Sequence, residues 1–80
     1  MSEQDLIDLG FERHETYEER YFYYSYDIGN VALLTVTDDE IEDGNWFVYA
    51  WDVDENLVFK TKQAVKDFIE ILKQNTIKWF

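Results

Sequence analysis

The sequence predicts an α+β domain, a twisted antiparallel sheet of four or five strands in meander order with one amphipathic helix packed on a face. Three observations carry that prediction. Residues 46–51 (Trp-Phe-Val-Tyr-Ala-Trp) place four aromatics in six positions with no charge, glycine or proline, as suits a central strand. Runs rich in aromatic and β-branched residues recur, separated by Glu-Glu, Gly-Asn and Asp-Gly-Asn turn signals. Near the C-terminus, Val65, Phe68, Ile69 and Leu72 repeat at helical spacing.

In chain order, Ser2 caps a short helix and Asp5 answers it at capping-box spacing. Leu6, Ile7 and Leu9 form its apolar side, and Gly10 suits a left-handed stop. Residues 11–16 read as an edge strand whose Glu12, Arg13 and Glu15 guard it against pairing. Residues 20–27 hold five aromatics and form the second strand. A tight turn at Gly29-Asn30 leads into a third over residues 31–37. There Ala32, Leu34 and Val36 lie on one side, and Val31, Leu33, Thr35 and Thr37 on the other. The acidic run Asp38, Asp39, Glu40, Glu42 and Asp43 is expected to project as a hairpin loop. The central strand covers residues 46–53, with Trp46, Val48 and Ala50 facing one way and Phe47, Tyr49 and Trp51 the other. Residues 54–56 turn the chain into 57–59, either a fifth strand or the lead-in to the helix.

The helix spans residues 61–74, with Thr61 as N-cap and Asn75 at its end. Its stripe, widened by Ala64 and Ile71, is expected to meet Leu34 or Val36 and one face of residues 46–51. Phe68 and Leu72 should lie deepest. Ile77, Trp79 and Phe80 form an aromatic tail expected to fold back on the sheet or helix. One helix covers one sheet face, so the other is left for the N-terminal helix, the tail, a second copy in a dimer, or a partner.

Residues 1–80 read as a single domain, with enough apolar and aromatic content for a core. The absence of cysteine excludes disulfides and fits a reducing cytoplasm. The acidic stretch Met1 to Asp8 lacks the basic and apolar regions of a signal peptide, so none is expected, and no apolar run reaches membrane-spanning length. Eighteen acidic against seven basic residues give a net charge of −11, beyond the roughly 2–8 usual for a small soluble domain. That field repels nucleic acid and anionic membranes and favours basic partners.

The chemistry-bearing patterns are few. Residues 52–56 (Asp-Val-Asp-Glu-Asn) begin like a calcium loop, but Leu57 stands where that loop needs glycine and Gln63 where it needs glutamate. With one histidine and no cysteine, no metal site is expected. Ser25 and His14 can be drawn with a carboxylate as a triad, yet no nucleophile elbow or oxyanion loop surrounds Ser25. The three glycines are isolated and make no phosphate-binding loop. Tyr21, Tyr23, Tyr26, Tyr49, Trp46 and Trp51 could stack bases or sugars, but such platforms come with a basic groove. No catalytic residue and no cofactor are expected.

The order Leu9-Gly10-Phe11-Glu12, aromatic strands, an acidic hairpin, then Phe59-Lys60-Thr61 and Val65-Lys66-Asp67-Phe68-Ile69 resembles small uncharacterised phage and prophage proteins of Gram-positive bacteria. The resemblance implies a host-interaction or accessory role, a class that includes small acidic inhibitors of host enzymes. The expected function is an acidic interaction module for a basic host or phage protein. Asp38, Asp39, Glu40, Glu42, Asp43, Tyr49 and Trp51 are its expected contacts. The alternatives are a ligand-binding domain or enzyme with a pocket between sheet and helix, and a homo-oligomeric phage component.

Overall fold

The computed structural model describes residues 1–16, 20–51 and 54–76, without the side chains of residues 51, 54–56, 75 and 76. The chain forms helix α1 (Glu3–Leu9), strands β1 (Glu12–Glu15), β2 (Phe22–Ile28), β3 (Val31–Leu34), β4 (Val48–Trp51) and β5 (Asp54–Phe59), and helix α2 (Lys62–Thr76). The strands lie in chain order, each antiparallel to the next. The expected α+β meander is therefore the observed one, with residues 57–59 belonging to a fifth strand. Asp54, Glu55 and Asn56, expected in a turn, already lie in β5. The expected strand residue Val53 and the aromatic tail fall outside the described residues.

Both helix starts follow their local chemistry. Ser2 and Asp5 exchange side-chain and backbone hydrogen bonds around the first turn of α1. Gly10, at φ 97°, closes that helix with its own N–H on Ile7 and the Phe11 N–H on the Leu6 carbonyl. The Ala64 N–H donates to Thr61 Oγ1 at 3.2 Å, the expected cap of α2. Lys62, unfavourably placed at the positive end of α2, instead pairs with Asp8 of α1 at 3.4 Å. The Gln4 amide, and then Lys62, hold the Asp8 carboxyl below its ordinary range.

One face of the sheet is the core. Tyr24 and Ile28 from β2, Leu33 from β3, Val48 and Ala50 from β4, and Trp46 meet Leu6 of α1 and Val65 and Ile69 of α2. Three expectations change here. Leu33, opposite Tyr26 and Ala50, points inward, and Leu34 lies on the other face. Val65 and Ile69 are deepest, whereas Phe68 and Leu72 are only half-buried. Phe68 sits against Phe59 of edge strand β5, ring centroids 4.7 Å apart, where the sheet ends and solvent begins. Ile7, expected on the apolar side of α1, and Ile71, expected to widen the stripe of α2, are half or more exposed, so both apolar stripes are narrower than expected.

Strand β4 begins two residues later than expected. At Trp46 the chain pairs instead with Met1: the Trp46 N–H donates to the Met1 carbonyl at 2.8 Å, and the Met1 amine donates to the Trp46 carbonyl at 3.0 Å. The same amine donates to the Lys60 carbonyl at 3.1 Å.

Tyr24 ties α1 to the sheet through its hydroxyl, which donates to Glu3 Oε1 at 2.6 Å. Burial, and then that hydrogen bond, push the phenol up to about 12. The protonated form favours the fold, so its contribution is complete below the unfolded value near 10 and is lost as pH rises toward 12. Tyr24→Phe is expected to cost about 1–3 kcal/mol at pH 7, as bonds to charged groups do. Urea unfolding at pH 7 and pH 11 checks this: the gap between wild type and variant should shrink at the higher pH, and an unchanged gap would contradict it.

Candidate functional site

Both helices pack on the core face. α1 contacts α2, and α2 contacts β2 and β5. The opposite face is met by no described element. Its composition follows from strand alternation. One row of cross-strand partners runs Glu12, Ser25, Leu34, Tyr49, Val58 across all five strands. A second runs Asp27, Ala32, Trp51, and His14 sits opposite Tyr23. The middle of this face is apolar, with Ala32, Leu34 and Tyr49 half-buried and Val58 40% exposed. Glu12 and Asp27 are exposed at its β1–β2 end.

The acidic run lies at the other end, and it does not project. Residues 38–40 form a 3-10 turn that folds back on the domain. Asp38 is half-buried, its Oδ1 accepting the Phe22 N–H at 2.9 Å, and Ile41 packs against the core. Asp43 and Gly44 have φ of 54° and 70°, and the Asn45 N–H closes the turn on the Glu42 carbonyl at 3.0 Å. The burial of Ile41, an apolar residue amid five acids, is the physical reason the loop is held down. Asp39, Glu40, Glu42 and Asp43 stay exposed.

Between that turn and the end of β5 lies an open groove of about 740 Å³. Glu40, Glu42 and Asp43 form one wall, Val58 and Lys60 the other, with Trp46 and Phe47 between. Val58 belongs to both the groove and the cross-strand row, so the two surfaces are continuous. Among the described residues, none of α2 lines this groove. It is therefore a different place from the sheet–helix pocket considered from the sequence.

Of the expected contact residues, the structure brings Glu40, Glu42 and Asp43 into the groove and puts Tyr49 beside it on the open face. Asp38 is diverted to a structural hydrogen bond. Trp51 pairs with Ala32 along the backbone, and its side chain lies outside the description. Leu34, Phe47, Val58 and Lys60 are contributors that sequence reasoning missed. For Leu34 and Val58 the signal was strand alternation, available once β5 and the inward side of β3 were assigned. The aromatic platform is split: Tyr26 and Trp46 pack with the core, and Tyr23 and Tyr49 lie on the open face.

His14 Nε2 and Ser25 Oγ are 2.6 Å apart on adjacent strands, with the His14 ring stacked on Tyr23. The pair has the first contact of a triad. Among the described residues no carboxylate is hydrogen-bonded to the other imidazole nitrogen. Ser25 sits in an interior strand paired on both sides, so its backbone forms no oxyanion turn. What the geometry does provide is a cross-strand tie holding edge strand β1 to β2. Among the described residues no group of three metal-ligating side chains occurs, and no helix is long and apolar enough to cross a membrane.

No known protein family, curated protein or solved structure matches the chain.

Proposed function

We propose that this chain is an acidic protein-interaction module whose sheet face, opposite the helices, takes a basic partner protein. The observation that carries the reading is the side taken by α1: it joins α2 on the core face, and among the described residues no helix covers the part of the cross-strand row through Leu34 and Val58. An apolar strip flanked by acids on a chain of −11 selects for positive charge during approach and apolar contact after docking. The phage resemblance supplies a setting, an accessory factor acting on a basic host or phage protein in the cytoplasm.

The test uses affinity capture from a Gram-positive lysate with the wild-type chain beside Leu34→Asp and Val58→Asp. A basic protein should be retained by wild type and lost by both variants. Its affinity should fall between low salt and 0.15 M, where the screening length shortens to about 8 Å. The charge variant carries Asp39→Asn, Glu40→Gln, Glu42→Gln and Asp43→Asn, leaving Asp38 intact because it holds the Phe22 N–H. This variant should slow association without changing the unfolding midpoint by more than a few degrees. A partner indifferent to salt, to the face variants and to the charge variant would contradict the reading.

A further inference from the structure

The register of the sheet narrows the partner of that face further, on the premise that the proposed reading holds. Five antiparallel strands at about 4.8 Å spacing place Glu12 and Val58, the two ends of one cross-strand row, about 19 Å apart. Acids stand at both ends: exposed Glu12 and Asp27 at the β1–β2 side, and Glu40, Glu42 and Asp43 on the groove that opens at Val58. Between them lie Ala32, Leu34 and Tyr49. From this charge–apolar–charge order we infer that the face takes an extended segment of a partner protein carrying cationic residues at both ends of a short apolar stretch.

The spacing fixes the length of that stretch. At about 3.3 Å per residue, six extended residues bridge the 19 Å between the two acidic ends. Arginine suits the groove end, where its planar cation can lie against Phe47 while donating to the carboxylates of Glu42 and Asp43. A second copy of this chain fits the same surface poorly. Each copy carries −11, and face-to-face pairing would bring acidic ends together.

The experiment titrates the isotope-labelled chain with two peptides of identical composition. One has two arginines at each end of six residues alternating valine and serine; the other has all four arginines contiguous. The split peptide is expected to bind at least about tenfold tighter, and to shift amide signals along the whole row from Glu12 to Val58. Glu12→Gln with Asp27→Asn should abolish the advantage of the split peptide while leaving the contiguous peptide nearly unaffected. Leu34→Asp should weaken both. Equal affinities for the two peptides, or an advantage that survives loss of Glu12 and Asp27, would overturn the inference. If the lysate partner still showed its salt and face dependence, that result would leave the broader reading standing. Concentration-dependent dimerisation abolished by Leu34→Asp would overturn it too, because the occupant would then be a second copy. So would signal changes along the row on deleting residues 77–80 that match those caused by the split peptide.

Discussion

Replacing Trp46 with alanine is expected to cost about 3–5 kcal/mol, as truncating a buried aromatic does. Trp46 is only 6% exposed and is enclosed by rings: Phe22 stacks on it at 5.9 Å and Tyr24 meets it edge-on at 5.5 Å. Phe22 and Tyr24 in turn contact each other edge-to-face at 6.0 Å, so the three rings close on themselves. Such pairs add to area burial by about 0.5–1.5 kcal/mol each. The backbone of the same residue carries the double hydrogen bond to Met1, and loosening it frees the start of α1 as well. Small domains hold only about 5–15 kcal/mol in total, so the alanine variant should be partly unfolded at 37 °C. Trp46→Phe, which keeps a ring in the cluster, should lose less than half as much. Urea unfolding followed by far-ultraviolet dichroism measures both, and a loss below about 1 kcal/mol for the alanine variant would contradict the cluster.

The second large effect separates adjacent residues of β3. Leu33 is fully buried between Tyr26 and Ala50, whereas Leu34 lies between Ser25 and Tyr49 on the open face. Leu33→Asp puts a carboxyl among apolar side chains with no partner, and is expected to exceed about 4 kcal/mol and abolish the folded state. Leu34→Asp exchanges a half-buried leucine for a poor strand former, at about 1–2 kcal/mol, and should remain folded. Comparable destabilisation by the two substitutions would mean that both faces of the sheet are covered.

What could be read from the chain beforehand follows from how local each determinant is. The caps of α1 and α2, the Gly10 stop and the Gly29-Asn30 turn depend on residues within four positions of one another. The two N-caps, the Gly10 stop and the Gly29-Asn30 turn appear where the local chemistry places them, whereas α2 runs past the stop expected at Asn75 and continues to Thr76. The two alternating sets of β3 were also legible, because alternation is a property of any strand. Which set faces inward was not, since that depends on where α1 and α2 dock. The aromatics of β2, β4 and β5 look alike in sequence whether they face the core or not. The groove was least legible of all. It is assembled from Met1, the turn after Ile41, and the end of β5, three places brought together by the Met1–Trp46 and Met1–Lys60 hydrogen bonds. No spacing in the sequence relates Met1 to Trp46. The acidic run showed its charge plainly, but its return to the domain rests on Asp38 reaching the Phe22 N–H and on one isoleucine among acids.

Among the described residues one sheet face is packed and the other is open, and methyl relaxation by a soluble paramagnetic agent measures that difference residue by residue. In the free wild-type chain the methyl groups of Val58 and Leu34 are expected to relax clearly faster than those of Leu33, Val48 and Val65, which should be nearly unaffected. Equal protection of Leu34 and Leu33 would contradict the account, because the surface assigned to the partner would already be filled.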